Sequence, residues 1–284
     1  MIVPWRDRRG NFLPVKAAVF ASAFVPAMFY AYWWMAGDAQ PRPVTEAIHG
    51  AGLWTIRFFL ISLAITPVAR MLQWPGLLLV RRMVGLTGLA YGVTHLFFYT
   101  MDQKFALGTV VSEILTRFYL TLGFVTLLGF LALGVTSTNG MIKRMGRWWK
   151  RLHYAAYPLV ALGTLHYFIQ VKANVSEPVF VAGLYVWLMV WRTLPMGWQR
   201  GVAVYPALAV LAALATAGIE FAWYRLATNV NPWRVLATSE SLDFGLRPAH
   251  CVFIAGVVVV VLVVGRGVVG RFGRSAGPMA ARSA

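Results

Sequence analysis

The chain has 284 residues, of which 59% are hydrophobic and only 12% charged, with 12 tryptophans. A soluble domain carries about a quarter of its residues as charges, so this composition excludes an ordinary soluble fold. The net charge of +17 does not indicate a nucleic-acid partner, because the basic residues are dispersed among the connections between apolar runs. The single cysteine, Cys251, excludes an intrachain disulfide, a Cys-ligated cluster and any cofactor attached through a Cys-x-x-Cys motif.

Apolar windows long enough to cross a bilayer can be drawn at residues 15–35, 53–72, 83–101, 118–136, 152–171, 178–194, 202–223 and 249–265. They predict an all-α polytopic membrane helical bundle of eight spans, with the lipid bilayer as its solvent. The N-terminal window follows basic residues, as a secretory signal would, but it is too long for an h-region and reads as a retained first span. Basic residues concentrate in alternate connections: Arg6, Arg8, Arg9 and Lys16; Arg70, Arg81 and Arg82; Lys143, Arg144, Arg147, Lys150 and Arg151; Arg192 and Arg200; and Arg266, Arg271, Arg274 and Arg282. By the positive-inside rule both termini are cytoplasmic. The connection after the seventh span fits least well, since Arg225, Arg234 and Arg247 outnumber Glu240 and Asp243.

The first span, with Pro26 and an aromatic end at Tyr30, Tyr32, Trp33 and Trp34, reads as an anchoring helix. His49 falls in the outer connection that follows. Arg57 lies one turn into the second span, where it either snorkels to the surface or pairs with a buried anion. In the third span Gly85, Gly88, Gly92 and His95 fall within roughly an 80° arc, so one helix face is bare and ends in an imidazole. Such a stripe serves close helix packing or leaves room for a planar macrocycle. The fourth span opens at Arg117 and contains Gly123, Gly129 and Gly134. Arg117, Arg57 and Lys172 sit at the outer surface, where they would receive carboxylates of a cofactor, dock an acidic partner or act as ordinary interfacial cations; for Lys172 the last reading is preferred.

The fifth span carries His153 near one end and His166 near the other, thirteen residues apart, or roughly 20 Å along a helix. An imidazole at membrane depth without a carboxylate partner is costly unless something satisfies both ring nitrogens; haem iron is a common answer, and a hydrogen bond to a neighbouring helix is the competing one. His95 lies roughly 18 Å and His166 roughly 21 Å from the cytoplasmic ends of their spans. The two imidazoles therefore share a level, and a bis-histidine haem bridging them near the outer leaflet is expected. His153 faces elsewhere, about 220° around an ideal helix, although Pro158 between the two can reorient one end. No second histidine lies at its level, so it reads as a lone axial ligand or as a contact to a donor or flavin beside Trp148, Trp149, Lys150 and Arg151. The last two spans, Ala-rich and then Val-rich, form a C-terminal hairpin holding Glu220 and His250. No connection is long enough for a soluble nucleotide-binding domain, so the reductant is expected to be another molecule. The expected divisions are a cytoplasmic segment 1–14, a haem-binding core 15–194, a cytoplasmic linker 195–201 and the hairpin with its tail, 202–284.

Several stretches taken in order resemble the MsrQ family, within the ferric-reductase-like transmembrane superfamily. They are Ile65-Thr66-Pro67-Val68-Ala69-Arg70, then Arg81-Arg82-x-x-Gly85 leading to Thr94-His95. Leu115-Thr116-Arg117-x-Tyr119-Leu120-Thr121-Leu122-Gly123 follows, and then Trp148 to His153 with His166-Tyr167. The resemblance spans roughly residues 15 to 194 and implies a six-helix ferric-reductase-like core, to which the C-terminal two-helix hairpin is an addition. It implies an inner-membrane protein holding a b-type haem (heme b), with FMN as a further candidate cofactor, and the family's haem-associated histidines fall on His95, His153 and His166. It also implies electron transfer from quinol or a cytoplasmic flavin reductase to a periplasmic molybdopterin subunit of the MsrP type, which repairs oxidised methionine. Such a subunit has no substrate site of its own. The alternative is a transmembrane metal reductase of the ferric reductase type, and a third reading is a haem-free transporter or scaffold whose histidines only pack.

Overall fold

The computed structural model describes residues 5–6, 10–36, 42–171, 174–239 and 245–275. Lys172, Arg8, Arg9, Glu240, Asp243 and Arg282 lie outside the described residues. Regular structure among the described residues is helical, apart from an isolated bridge between Arg6 and Phe12. The expectation of an all-α membrane bundle therefore holds. Among the described residues, five stretches are long and apolar enough to cross a bilayer: Pro14–Met35, Pro43–Met71, Phe118–Val135, Val204–Ala227 and Pro248–Arg266. The other three expected spans are helices that fall short of that measure by length or apolar content.

Prolines divide two of the expected spans. The first expected span is two helices, α1 (Pro14–Ser22) and α2 (Val25–Met35). Pro26 has no N–H to donate to Ser22, and the chain tightens through Phe24 N–H to Ala21 O at 3.1 Å. α3 (Pro43–Met71) has 29 residues and starts ten residues earlier than the predicted span, so His49 belongs to a helix and not to a connection. α4 (Arg81–Asp102) is followed by α5 (Leu107–Thr116), a helix where the sequence reading placed only a connection. Arg117 alone separates α5 from α6 (Phe118–Val135). The predicted fifth span is also divided: α8 (Arg147–His153), preceded by α7 (Asn139–Met145), ends before α9 (Ala156–Gln170) begins. Pro158 cannot donate to Tyr154, whose carbonyl instead accepts from Tyr157 N–H at 3.1 Å. α10 (Ser176–Thr193) follows, then α11 (Val204–Ala227), α12 (Pro232–Thr238) and α13 (Pro248–Ser275). Gly265-Arg266-Gly267-Val268-Val269-Gly270 has the spacing of a dinucleotide-binding loop, but it continues α13 with no strand before it.

The chain divides into two compact units, residues 1–66 with 75–181, and residues 67–74 with 182–284. The expected linker, 195–201, lies within the second. In the first unit α6 packs against α4, α5 and α9. Contact is close enough that a Cβ on Gly129 would lie 2.5 Å from Leu159, and one on Gly134 would lie 2.2 Å from Leu89. In the second unit α11 and α13 pack along their length, with Thr216 and Val252 fully buried between them. Arg247 donates to Glu220 at 2.6 Å, which neutralises a carboxylate whose side chain is only 2% exposed. The outer surface is apolar, with Trp34, Leu128, Leu214 and Val261 exposed, as lipid-facing positions require.

Candidate functional site

Within the first unit, α2, α3, α4, α6 and α9 line a partly open cavity of about 1200 Å³. That is at or beyond the upper end of ordinary small-molecule pockets, ~1,000 Å³. Its wall is almost wholly apolar and aromatic, with Tyr30, Tyr91, Phe124 and Tyr167 among the lining residues. Phe59 of α3 and Phe130 of α6 also line it, and they stack with ring centres 3.6 Å apart and planes 10° from parallel. Three histidines line this space: His95 from α4, His166 from α9 and, exposed at one edge, His49 from α3.

The ring centres of His95 and His166 are 6.4 Å apart with planes at 80°. Each ring is held by its Nδ1. His95 Nδ1 donates to the carbonyl of Ile48 at 2.8 Å, and His166 Nδ1 donates to the carbonyl of Tyr119 at 2.7 Å. A carbonyl only accepts, so the proton is on Nδ1 in both rings and Nε2 carries the free lone pair, the form that binds a metal. No hydrogen-bond partner among the described residues meets either Nε2.

A haem fits these residues. With their ring centres 6.4 Å apart, the two imidazoles would be the residues to hold its iron, each through an Nε2 that carries a free lone pair. A backbone-oriented histidine pair and a large apolar wall suit the apolar body of a macrocycle held by coordination and packing.

Both rings fit because glycines stand beside them. A Cβ on Gly123 of α6 would lie 2.7 Å from His166 Cε1, and one on Gly52 of α3 would lie 3.0 Å from His95 Nδ1. Sequence reading noted Gly123 without a role and did not single out Gly52. The bare face of α4 serves chiefly the first of its two expected uses, close helix packing. A Cβ on Gly88 would lie 3.2 Å from Phe58 and Phe59, and one on Gly85 would lie 3.3 Å from Ser62 Oγ, so these two glycines admit α3 to close packing. Gly92 is the one member of the stripe that lines the cavity.

The other predicted residues are placed elsewhere. His153 does not line the cavity. Its ring stacks on Trp149 with centres 3.9 Å apart, Nδ1 lies 3.0 Å from the Trp149 carbonyl, and Nε2 lies 3.2 Å from Ser137 Oγ. Arg57 pairs with Glu177 and lies over the Trp54 ring at 5.1 Å. Arg117 pairs with Glu113 at 2.8 Å. No Lys or Arg is among the described residues that line the cavity, where Glu46 and the exposed His49 are the polar groups at one edge.

The model of the ferric reductase like transmembrane component matches residues 51–164. The chain is similar to the protein-methionine-sulfoxide reductase heme-binding subunit MsrQ of Caulobacter vibrioides, at 39% identity over 68% of this chain and 94% of that protein. It is similar to the same subunit of Rhodospirillum rubrum at 38% identity, over 67% of this chain and 90% of that protein. No solved structure matches the chain.

Proposed function

The chain belongs to the MsrQ family of haem-binding subunits of protein-methionine-sulfoxide reductases, and on that premise we propose that it is a membrane electron-transfer subunit with a b-type haem held by His95 and His166. Electrons arrive from quinol or a cytoplasmic flavin reductase and leave to a periplasmic, molybdopterin-containing catalytic subunit of the MsrP type. The protein lies in the bacterial inner membrane with eight crossings and both termini cytoplasmic, a reading supported by the alternation of basic connections.

The observation that carries the proposal is the histidine pair, 6.4 Å apart, with both Nδ1 atoms committed to backbone carbonyls. When bound, the haem supplies a one-electron carrier. The protein supplies the rest: Ile48 and Tyr119 fix the tautomers, Gly52 and Gly123 make room for the rings, and the aromatic wall keeps water out. His153, with Trp148, Trp149, Lys150 and Arg151, is the candidate contact for FMN or for the donor. A role for Arg57 or Arg117 at the cofactor requires that Glu177 or Glu113 give way to the cofactor's carboxylates. The chain is assigned no substrate site of its own.

A reduced-minus-oxidised optical spectrum of the purified protein tests this. The wild type should show the sharp bands of a low-spin bis-histidine haem, and His95→Ala and His166→Ala should each lose them. A wild type without haem, or a His95→Ala variant with an unchanged spectrum, overturns the pairing. The match to the ferric reductase like component favours a second reading, a transmembrane metal reductase. Reduction of a ferric chelate by the purified chain with no partner present would select it.

A further inference from the structure

The helix that sequence reading missed, α5, points to an interaction surface. Its ten residues span roughly 15 Å, half the ~30 Å of a bilayer's hydrocarbon core, so it cannot cross. Four residues join it to the end of α4 and Arg117 alone joins it to α6, so both its ends are tied to the same end of the membrane bundle.

The faces of α5 are sorted. Val110 and Ile114 are buried. Beside them runs an exposed aliphatic stripe, Leu107, Val111 and Leu115, which are 65%, 54% and 74% exposed. Beyond it lies an exposed polar stripe, Thr109, Ser112 and Thr116. At 100° per residue the aliphatic stripe covers roughly an 80° arc next to the buried seam, and the polar stripe lies farther round. Glu113 is kept off the aliphatic stripe: its carboxylate accepts from the Tyr99 hydroxyl and pairs with Arg117.

The aliphatic stripe continues the exposed surface of α4. Val93 and Phe97, one turn apart on α4, are exposed, and the Phe97 ring lies 5.9 Å from that of Phe105, the exposed residue that leads into α5. The turn that puts Phe105 there holds two consecutive non-glycine residues, Lys104 and Phe105, at φ of 50° and 57°. Such residues are uncommon in the left-handed region and need surrounding contacts to stay there. At the other end of α5 the exposed Phe118 opens α6.

We propose that α5 lies in the membrane interface at the end of the bundle nearer His95 and His166, with Leu107, Val111 and Leu115 in the lipid acyl chains and the Thr109–Ser112–Thr116 face in water. Lipid is the occupant because the stripe is aliphatic, lacks the Trp, Tyr and Arg anchors that dominate protein interfaces, and joins a surface that already faces lipid. α5 then fixes the depth of the Arg117 turn from which α6, with Gly123, descends.

Site-directed fluorescence decides this. In a Cys251→Ser background, Val111→Cys and Ser112→Cys are labelled with bimane and the full chain is reconstituted into phosphatidylcholine and phosphatidylglycerol vesicles. The label at 111 should be quenched several-fold more by lipid nitroxides placed shallow in the acyl chain than the label at 112, and aqueous iodide should give the reverse order. Leu115→Cys repeats the measurement on the same stripe if Val111→Cys does not elute as wild type does in size exclusion. Equal iodide quenching at 111, 112 and 115 overturns the proposal. So does protection of 111 and 115 that arises only when the purified periplasmic reductase subunit is added, because that outcome assigns the stripe to a protein partner.

Discussion

Replacing Gly123 with alanine tests the proposed cofactor site without touching either proposed ligand. The added Cβ would stand 2.7 Å from His166 Cε1, 2.9 Å from Nδ1 and 3.0 Å from Nε2. Ordinary carbon contacts begin near ~3.5 Å, so the ring must retreat by about 0.8 Å, or α6 and α9 must part. Retreat stretches the 2.7 Å bond from Nδ1 to the Tyr119 carbonyl to roughly 3.5 Å, past the useful range. Overpacking costs about 1–3 kcal/mol, and a buried donor left without a partner costs about as much again. If about 2 kcal/mol of that falls on cofactor binding, haem affinity drops roughly 30-fold. Titration of haem into the cofactor-free protein, followed in the Soret band, measures the affinity, and the spectrum reports whether His166 still ligates. Gly218→Ala is the control, because a Cβ there meets nothing within 4 Å. A Gly123→Ala protein with wild-type affinity and a wild-type low-spin spectrum would refute the assignment of His166 as a ligand held at this distance.

His153→Ala should keep the low-spin bands while slowing reduction by a quinol or a flavin reductase, since the ring lies outside the cavity and spends both nitrogens on Trp149 and Ser137; stopped-flow reduction would expose the opposite pattern. Glu220→Ala should lose about 3–5 kcal/mol of stability by leaving the Arg247 guanidinium without its carboxylate, and Glu220→Ala with Arg247→Leu should recover part of it. Thermal unfolding in detergent compares the two, and a double variant as unstable as the two losses added together would mean that the pair is not coupled. Reporter fusions at Ala173 and after Ala284 should read periplasmic and cytoplasmic respectively, and a periplasmic reading at Ala284 would end the count of eight crossings.

What the sequence revealed about the site follows from which quantities are additive along a helix. Rise per residue is one of them: counting inward from the ends of two spans put His95 and His166 at one level, and their rings are 6.4 Å apart. Direction is not, once a proline intervenes, so the phase computed between His153 and His166 referred to a continuous helix that Pro158 divides after His153. The small residues of α4 were visible as a stripe, but spacing says only that a face is bare and not what fills it; Phe58, Phe59 and Ser62 do so at two of the three glycines. Arg57 shows the same boundary for charge. Its depth was readable, whereas its partner Glu177 lies 120 positions away. The carbonyls of Ile48 and Tyr119 left no trace at all, because every residue has one, and only the fold chooses which two meet an imidazole. These carbonyls fix the tautomer on which the proposed ligation depends, so the step from two histidines at one depth to a proposed coordination site rests on backbone groups that no residue type records.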